Sequence, residues 1–349
     1  MPDYSNPDVV AELGKINPEL EQVVLKANPP TKNDWSDLQG FRAMRKQMEA
    51  SRMATAEQAK LESTMNITMR DGFESEIRIH KPASPPAKSP LIVLIYGGGF
   101  IVGSNLQLGP YARAVAALYG ATAVTLSYRL APESKFPTQI NDTWDSVSWL
   151  AKNASSIGAD PSAGFILGGV SAGGNLTAVT AQKARDEGLA APLTGLWTSI
   201  PVLLSDETVP EKYKHLFFSR KQNADAPVFN IEAINKVDGY LEADQKSPAW
   251  SPFNTPGAFE GQPPTYVQVC GMDPLRDDGL IYEAVLRESG VKTRLDVYPG
   301  VPHAHFSYLP NLGLSKRANV DTIKGIGWLL GKDVSDDQVA AVVAPPSGA

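Results

Sequence analysis

The sequence predicts an α/β protein: a mostly parallel sheet flanked by helices on both faces. Three observations carry that expectation. Short, continuously apolar runs recur along the chain and alternate with segments of helical periodicity, the pattern of strands buried on both sides. The runs are bounded by glycine, proline and polar clusters. And 349 residues, 42% hydrophobic and 20% charged, suffice for a large core.

In chain order, residues 1–62 read as helical. Leu13, Leu20, Val23 and Val24 form one apolar stripe, broken near Pro18 and ended by Asn28-Pro29-Pro30. Ser36 and Gln39 make a capping-box pattern, followed by Leu38, Phe41, Met44 and Met48 at helical steps. Met65–Arg70 and Glu74–Lys81 alternate about Asp71-Gly72, a hairpin signal that sets an antiparallel edge. Pro82–Pro90 is a loop. Strands are then expected at Leu91–Tyr96, Ala121–Ser127, Gly164–Gly168, Leu193–Ile200, Thr265–Cys270 and Thr293–Tyr298. Helices are expected at Pro110–Tyr119, Pro137–Lys152, Ala172–Glu187, Asp278–Ser289 and Lys316–Leu330. Asp206–Gln245 is polar, lacks a strand pattern and reads as a helical insertion. The tail from Lys332 to Ala349 reads as frayed. The resulting division is a helical N-terminal segment (1–62), a core in two parts (63–205 and 246–331), an insertion (206–245) and a flexible tail (332–349).

Composition excludes several classes. Thirty-two Lys+Arg against 38 Asp+Glu give a net charge of -6, with no basic run, so nucleic-acid binding is not expected. One cysteine, Cys270, permits neither an internal disulfide framework nor a thiolate metal cluster, and reads as a core residue. No run approaches the length of a membrane span, and the polar, acidic opening residues show no secretory apolar core. A cytoplasmic location is expected.

The strongest chemical signal is Gly169-Val170-Ser171-Ala172-Gly173, after the apolar run Phe165-Ile166-Leu167 and before a helical pattern. A serine in so tight a strand-to-helix turn is held in a strained backbone conformation that presents Oγ above the sheet. Its place at a helix N-terminus favours developing negative charge. The second signal is Tyr96-Gly97-Gly98-Gly99-Phe100, at the end of another apolar run. Successive glycines leave backbone N–H groups free to face an oxyanion, and no phosphate-loop Lys-Ser/Thr follows. A serine nucleophile needs a base and an orienting acid. Of the four histidines, His80 lies in the hairpin and His215 in the insertion, whereas His303 and His305 follow the last strand. Asp273 is the first carboxylate past the strand ending at Cys270; Asp277 or Asp278 reads as the N-cap of the next helix.

Together these stretches resemble the hormone-sensitive-lipase-like branch of the α/β-hydrolases, which includes the bacterial family IV esterases. The resemblance runs from about Leu91 to Phe306. It includes the glycine triplet, Tyr128-Arg129-Leu130-Ala131-Pro132-Glu133, the Gly-x-Ser-Ala-Gly-Gly-Asn elbow, Asp273-Pro274-Leu275-Arg276-Asp277 and the Gly-x-Pro-His loop. It implies an α/β-hydrolase fold with a helical cap made of residues 1–62 and 206–245. It also implies a Ser171, Asp273, His303 triad in that chain order, and an oxyanion hole from the N–H groups of Gly98, Gly99 and Ala172. His303 stands at the family's spacing from Gly300, which leaves His305 at the pocket rim or surface. Tyr96 replaces the family's usual histidine before the glycines and is expected to support the loop through a hydrogen bond, with Gly97 as a second supporting residue. Val170 replaces a common acid, and Phe306 lies three residues beyond His303 rather than two.

The activity implied is hydrolysis of small-molecule carboxylic esters of small to medium acyl chain by a serine carboxylesterase, without metal or cofactor; family members are often homodimers. The same machinery suits a specialised natural-product ester, a lactone, a thioester or acyl transfer. A non-catalytic receptor on this fold is disfavoured by the complete set of Ser171, Asp273 and His303. Arg129 and Glu133 read as loop braces, Trp144 and Trp149 as one core-facing helix stripe, and Phe217, Phe218 and Phe229 as acyl-pocket candidates.

Overall fold

A computed structural model describes residues 2–26, 35 and 37–343. It opens with helices α1 (Pro7–Glu12), α2 (Pro18–Lys26), α3 (Leu38–Ala50) and α4 (Ala56–Ala59). The first is started by the Asn6 side chain, which accepts from Asp8 N–H, and by Pro7 in the first turn. Asp37 caps α3, its side chain accepting from Gly40 N–H; Ser36 and the Asn28-Pro29-Pro30 stop lie outside the described residues. Thr55 and Gln58 complete a reciprocal capping box on α4.

The sheet follows: β1 (Glu62–Thr68), β2 (Glu74–His80), β3 (Leu91–Ile95), β4 (Thr122–Thr125), β5 (Phe165–Val170), β6 (Gly195–Ser199), β7 (Thr265–Cys270) and β8 (Thr293–Tyr298). Their order across the sheet is β1-β2-β4-β3-β5-β6-β7-β8. The β1–β2 hairpin and its seam with β4 are antiparallel; every later pairing is parallel. β3, β4, β5, β6 and β7 are buried at every position, which is why their sequences read as unbroken apolar runs.

Helices α5 (Gly109–Tyr119), α6 (Thr138–Asn153), α7 (Ala172–Glu187), α8 (Ser219–Gln222), α9 (Ile231–Leu241), α10 (Arg276–Glu288), α11 (His305–Tyr308), α12 (Gly313–Leu329) and α13 (Asp336–Val343) complete the described chain. Between β6 and β7 the chain forms the 3-10 turn Glu211–Leu216, then α8 and α9, with no strand among its described residues. Among the described residues no helix is long and apolar enough to cross a membrane.

Outside the cleft, the main departures from the sequence reading are these. The helical opening ends one residue early, because Glu62 pairs with His80 at the start of β1. The tail is not frayed throughout: α13 folds back so that Val339 is fully buried in the main core, and only residues 344–349 lie outside the description. Trp144 and Trp149 are half-buried rather than core; Trp144 lies beneath the Lys183 ammonium, 4.9 Å from its ring centroid. Neither Asp277 nor Asp278 caps α10. Leu275 holds that position, and both carboxylates are fully buried inside the first turn, where they accept from a different part of the chain.

The buried contact of Val339 yields a test of the C-terminal helix. Val339→Asp would place an unpaired carboxylate in apolar surroundings, at a cost of about 2 kcal/mol or more, so α13 should detach. Limited proteolysis should then cut within 332–343 and Tm should fall by a few degrees. Unchanged protection and Tm would contradict the docking.

Candidate active site

The serine elbow is built by close approach. Ser171 lies between β5 and α7 with φ 56° and ψ -115°, a left-handed backbone that side chains rarely adopt. A Cβ on Gly173 would stand 2.1 Å from the Ile95 carbonyl oxygen and 2.6 Å from that of Tyr96, so only glycine lets α7 start this close to β3. A Cβ on Gly169 would stand 2.2 Å from the Gly173 carbonyl oxygen, which explains the paired glycines. Ser171 N–H donates to Ser199 O at 2.8 Å, and Asn175 Nδ2 donates to Val202 O (2.8 Å) and Trp250 O (2.7 Å). The elbow is thereby fixed to the neighbouring strand's loop.

The late loops bring two more side chains to it. His303 Nε2 lies 2.9 Å from Ser171 Oγ, and His303 Nδ1 lies 2.6 Å from Asp273 Oδ2. Asp273 is fully buried; its Oδ1 accepts from Leu275 N–H at 2.8 Å, which fixes the carboxylate plane. With Asp273 accepting at Nδ1, that nitrogen carries the proton, and Nε2 presents its lone pair to the Ser171 hydroxyl. The arrangement can accept a proton from Oγ as it attacks an electrophile.

Opposite the serine stands the glycine loop. Gly97 N–H donates to Gln107 Oε1 at 2.8 Å, and Gln107 Nε2 returns a bond to Gly97 O at 2.9 Å. That clamp leaves the next two N–H groups, of Gly98 and Gly99, without a protein acceptor among the described residues. Gly98 adopts φ 141°, and a Cβ there would stand 2.1 Å from Val102 O. Beneath the loop Tyr96 and Tyr128 stack at 4.3 Å, each hydroxyl donating to the other's carbonyl at 3.1 Å. Burial pushes both phenols above their ordinary pKa, so they stay neutral donors. Ala172 opens α7 beside Ser171, where its N–H is free of intrahelical bonding.

The cleft over Ser171 is small, about 50 Å³, and lined on one side by aromatic side chains. Phe229 packs 4.7 Å from the His303 ring, Trp35 packs 5.7 Å from Phe229, and Phe41 packs 4.5 Å from Trp35. Of the three insertion phenylalanines, only Phe229 reaches the cleft. Phe217 and Phe218 lie against the guanidiniums of Arg220 and Arg276, 4.4 and 5.0 Å from the ring centroids. The buried α10 carboxylates explain why this insertion stays put. Asp277 accepts from the N–H groups of Phe218 and Ser219, Asp278 from those of Leu203 and Leu204 and from Arg220, and Asn223 donates to Asp273 O at 2.9 Å. On the other side Arg42 of α3 donates to Ile101 O and Ala131 O and pairs with Glu133. Arg129 pairs with Asp142 and Asp71, so both expected braces are engaged.

His305 does not line the rim. It is fully buried, with Nδ1 2.8 Å from Ser315 Oγ and its ring 5.7 Å from Tyr298, because α11 turns it back into the core. Burial and the neighbouring His303 drive its pKa down to about 3. Sequence reasoning also missed Gln107, Tyr308 and Arg45, which border the cleft. Gln107 and Tyr308 belong to no motif. Arg45 carried one signal, its place four residues after Phe41 on the apolar face of α3; the structure shows it buried there. Among the described residues no group of His, Cys, Asp or Glu could hold a metal ion.

Known proteins share this architecture. A family described as having the alpha/beta hydrolase fold matches residues 92–307. An AB hydrolase superfamily protein of Schizosaccharomyces pombe is 36% identical over 93% of this chain and 96% of its own. A versiconal hemiacetal acetate esterase of Dothistroma septosporum is 33% identical over 76% of this chain and 81% of its own. Among solved structures, vibralactone cyclase superposes with a TM-score of 0.82 at 31% identity, covering 92% of this chain and 96% of that one.

The depressed pKa of His305 makes acid stability measurable. Below pH 6.5 the unfolded chain binds a proton at this imidazole while the folded chain does not, so stability held above pH 6.5 is lost as pH falls towards 3. At pH 5 one such group removes about 2 kcal/mol. Urea unfolding at pH 7 and pH 5 should show that loss, and His305→Gln should reduce it. An equal loss in the variant would contradict the assignment.

Proposed function

The chain belongs to the hormone-sensitive-lipase-like branch of the α/β-hydrolase family, and we infer that it is a serine carboxylesterase. Its proposed nucleophile is Ser171, its general base His303 and its orienting acid Asp273. The observation that carries this reading is the unbroken relay from Asp273 Oδ2 through the His303 ring to Ser171 Oγ, at 2.6 and 2.9 Å.

In this mechanism Oγ attacks the ester carbonyl carbon while Nε2 takes its proton, and Asp273 stabilises the imidazolium that forms. The carbonyl oxygen becomes an oxyanion facing the N–H groups of Gly98, Gly99 and Ala172. A donor of this kind supplies about 3 kcal/mol of barrier lowering. Collapse expels the alcohol with the proton from Nε2 and leaves an acyl-serine. Water, deprotonated by the same nitrogen, then attacks it and releases the carboxylic acid. No metal or organic cofactor takes part in this scheme. Residues 1–62 and 206–245 serve as the cap, with Trp35, Phe41 and Phe229 as its roof. A cavity of about 50 Å³ is well below the ~150 Å³ that holds a benzene ring, which supports short acyl groups.

A second reading keeps the same nucleophile and changes the substrate. The likeness to vibralactone cyclase and to the versiconal hemiacetal acetate esterase supports a specialised ester or lactone as the physiological substrate. The proposal places the enzyme in the cytoplasm, where its single buried cysteine stays a thiol, and allows a homodimer.

Hydrolysis of a p-nitrophenyl ester series tests the proposal. Ser171→Ala should lower kcat by about 10⁶ and Asp273→Asn by about 10⁴, with folding intact by circular dichroism. Acetate and butyrate should be cleaved with higher kcat/KM than octanoate. Retention of a tenth of the activity in either variant would overturn the assignment.

A further inference from the structure

One permanently charged side chain borders the cleft among the described residues, and ester hydrolysis gives it no task. Arg45 lies on α3 with its side chain only 7% exposed, on the same wall as Phe41 and Tyr308. Its polar atoms are poorly served by the protein. Nη1 donates to the Tyr308 hydroxyl at 2.9 Å, but Nε has no hydrogen-bond partner. The one nearby carboxylate among the described residues, Glu49, forms a loose ion pair 3.6 Å from Nη2, beyond hydrogen-bond reach, and its Oε1 lacks a hydrogen-bond donor. The other Glu49 oxygen is occupied by Ser104 Oγ at 2.5 Å.

The charge balance around it is uneven. Arg52, on the same side of the glycine loop, donates to Gln107 O at 2.9 Å. Burial, and then the charge of Arg45, pulls its pKa below the usual guanidinium range. Two guanidiniums therefore share one carboxylate in a largely desolvated corner. Among the described residues, the remaining groups that line the cleft beside Arg45 include the Tyr308 hydroxyl, Gln107 and the aromatic roof, none of them anionic. A buried cation with a loose ion pair and an unmet N–H is costly, and a half-satisfied guanidinium is poor at merely bracing a helix. It is well suited to a planar oxyanion, which takes two parallel N–H donors.

Resting on the serine-esterase reading above, we propose that Arg45 is a specificity-determining residue that binds a carboxylate carried by the ester substrate, so that the enzyme's substrates are monoanionic esters. The carboxylate sits on either the acyl or the alcohol side of the scissile bond; in both cases Arg45 holds it while Ser171 attacks the neutral ester carbonyl.

Two pairs of near-isosteric esters separate these arms, followed by titration of released acid. Monoethyl succinate against ethyl levulinate reads the acyl side, and O-acetylglycolate against acetoxyacetone reads the alcohol side. In the wild-type enzyme one anionic ester should exceed its neutral partner at least tenfold in kcat/KM, with the gain in KM and weakened by salt. Arg45→Gln should bring that ratio to one or below, and Arg45→Lys should restore part of it. Neutral partners preferred in both pairs, or a ratio unmoved by Arg45→Gln, would overturn the proposal. Calorimetric binding of succinate to full-length Ser171→Ala provides a readout that needs no turnover. It should weaken at least tenfold when Arg45→Gln is added, and failure of succinate to bind would count against the anion site. Loss of all turnover with succinate binding intact would instead contradict the esterase reading alone. Should Arg45→Gln fail to fold, competitive inhibition of the wild-type enzyme by succinate decides the question, and its absence contradicts the site.

Discussion

The site depends on how closely α7 approaches β3. Gly173 brings the first turn of that helix against the carbonyl oxygens of Ile95 and Tyr96, with no room for even a methyl group. Two consequences follow from that single contact. Ser171 is forced to φ 56°, which turns its hydroxyl up towards the loops rather than into the sheet. And the end of β3, which continues into Gly97, Gly98 and Gly99, is brought beside it. A Cβ on Gly97 would lie 2.6 Å from Val170 O, so the proposed nucleophile and the proposed oxyanion donors share one rigid seam. Preorganised donors of this sort cost no rearrangement when charge develops.

Around that seam the protein spends its buried polar groups on position. Gln107 clamps Gly97 on both faces, the Tyr96–Tyr128 pair supports the loop from below, and Asn175 ties α7 to the loops after β6. Asp277 and Asp278, both fully buried, accept backbone N–H groups from the chain between β6 and β7, so the segment that carries Phe229 is anchored to the loop that carries Asp273. The roof over the serine and the acid behind the histidine are therefore held by one network. A polar network of this kind favours a single arrangement when its members are satisfied. Arg45 stands apart because it borders the cleft, and its unmet Nε directs attention to the substrate.

Much of this was legible in the residues. Continuous apolar runs marked the buried parallel strands, and Thr265–Cys270 and Thr293–Tyr298 match β7 and β8 to the residue. The glycine spacing about Ser171 was readable because it reports a packing constraint rather than a preference. What stayed hidden is tertiary. Asp277 and Asp278 looked like caps because acidic residues favour helix starts, but their partners lie some 60 to 75 residues away in the chain. His305 looked exposed beside His303, yet α11 rotates it into the core. Phe217, Phe218 and Phe229 were indistinguishable by type; only the fold shows that Phe229 meets the histidine ring while the others pack against arginines. The terminal helix was missed because its one fully buried side chain, Val339, gives too little periodicity to register.

The central claim is that Ser171 alone is made nucleophilic by this geometry. A fluorophosphonate probe applied to the folded protein, with the site of attachment mapped by peptide mass spectrometry, addresses it most directly. The account predicts one phosphonyl group per chain, on Ser171, and none when that hydroxyl is removed. A folded protein that does not react, or one modified at a different side chain, would contradict it.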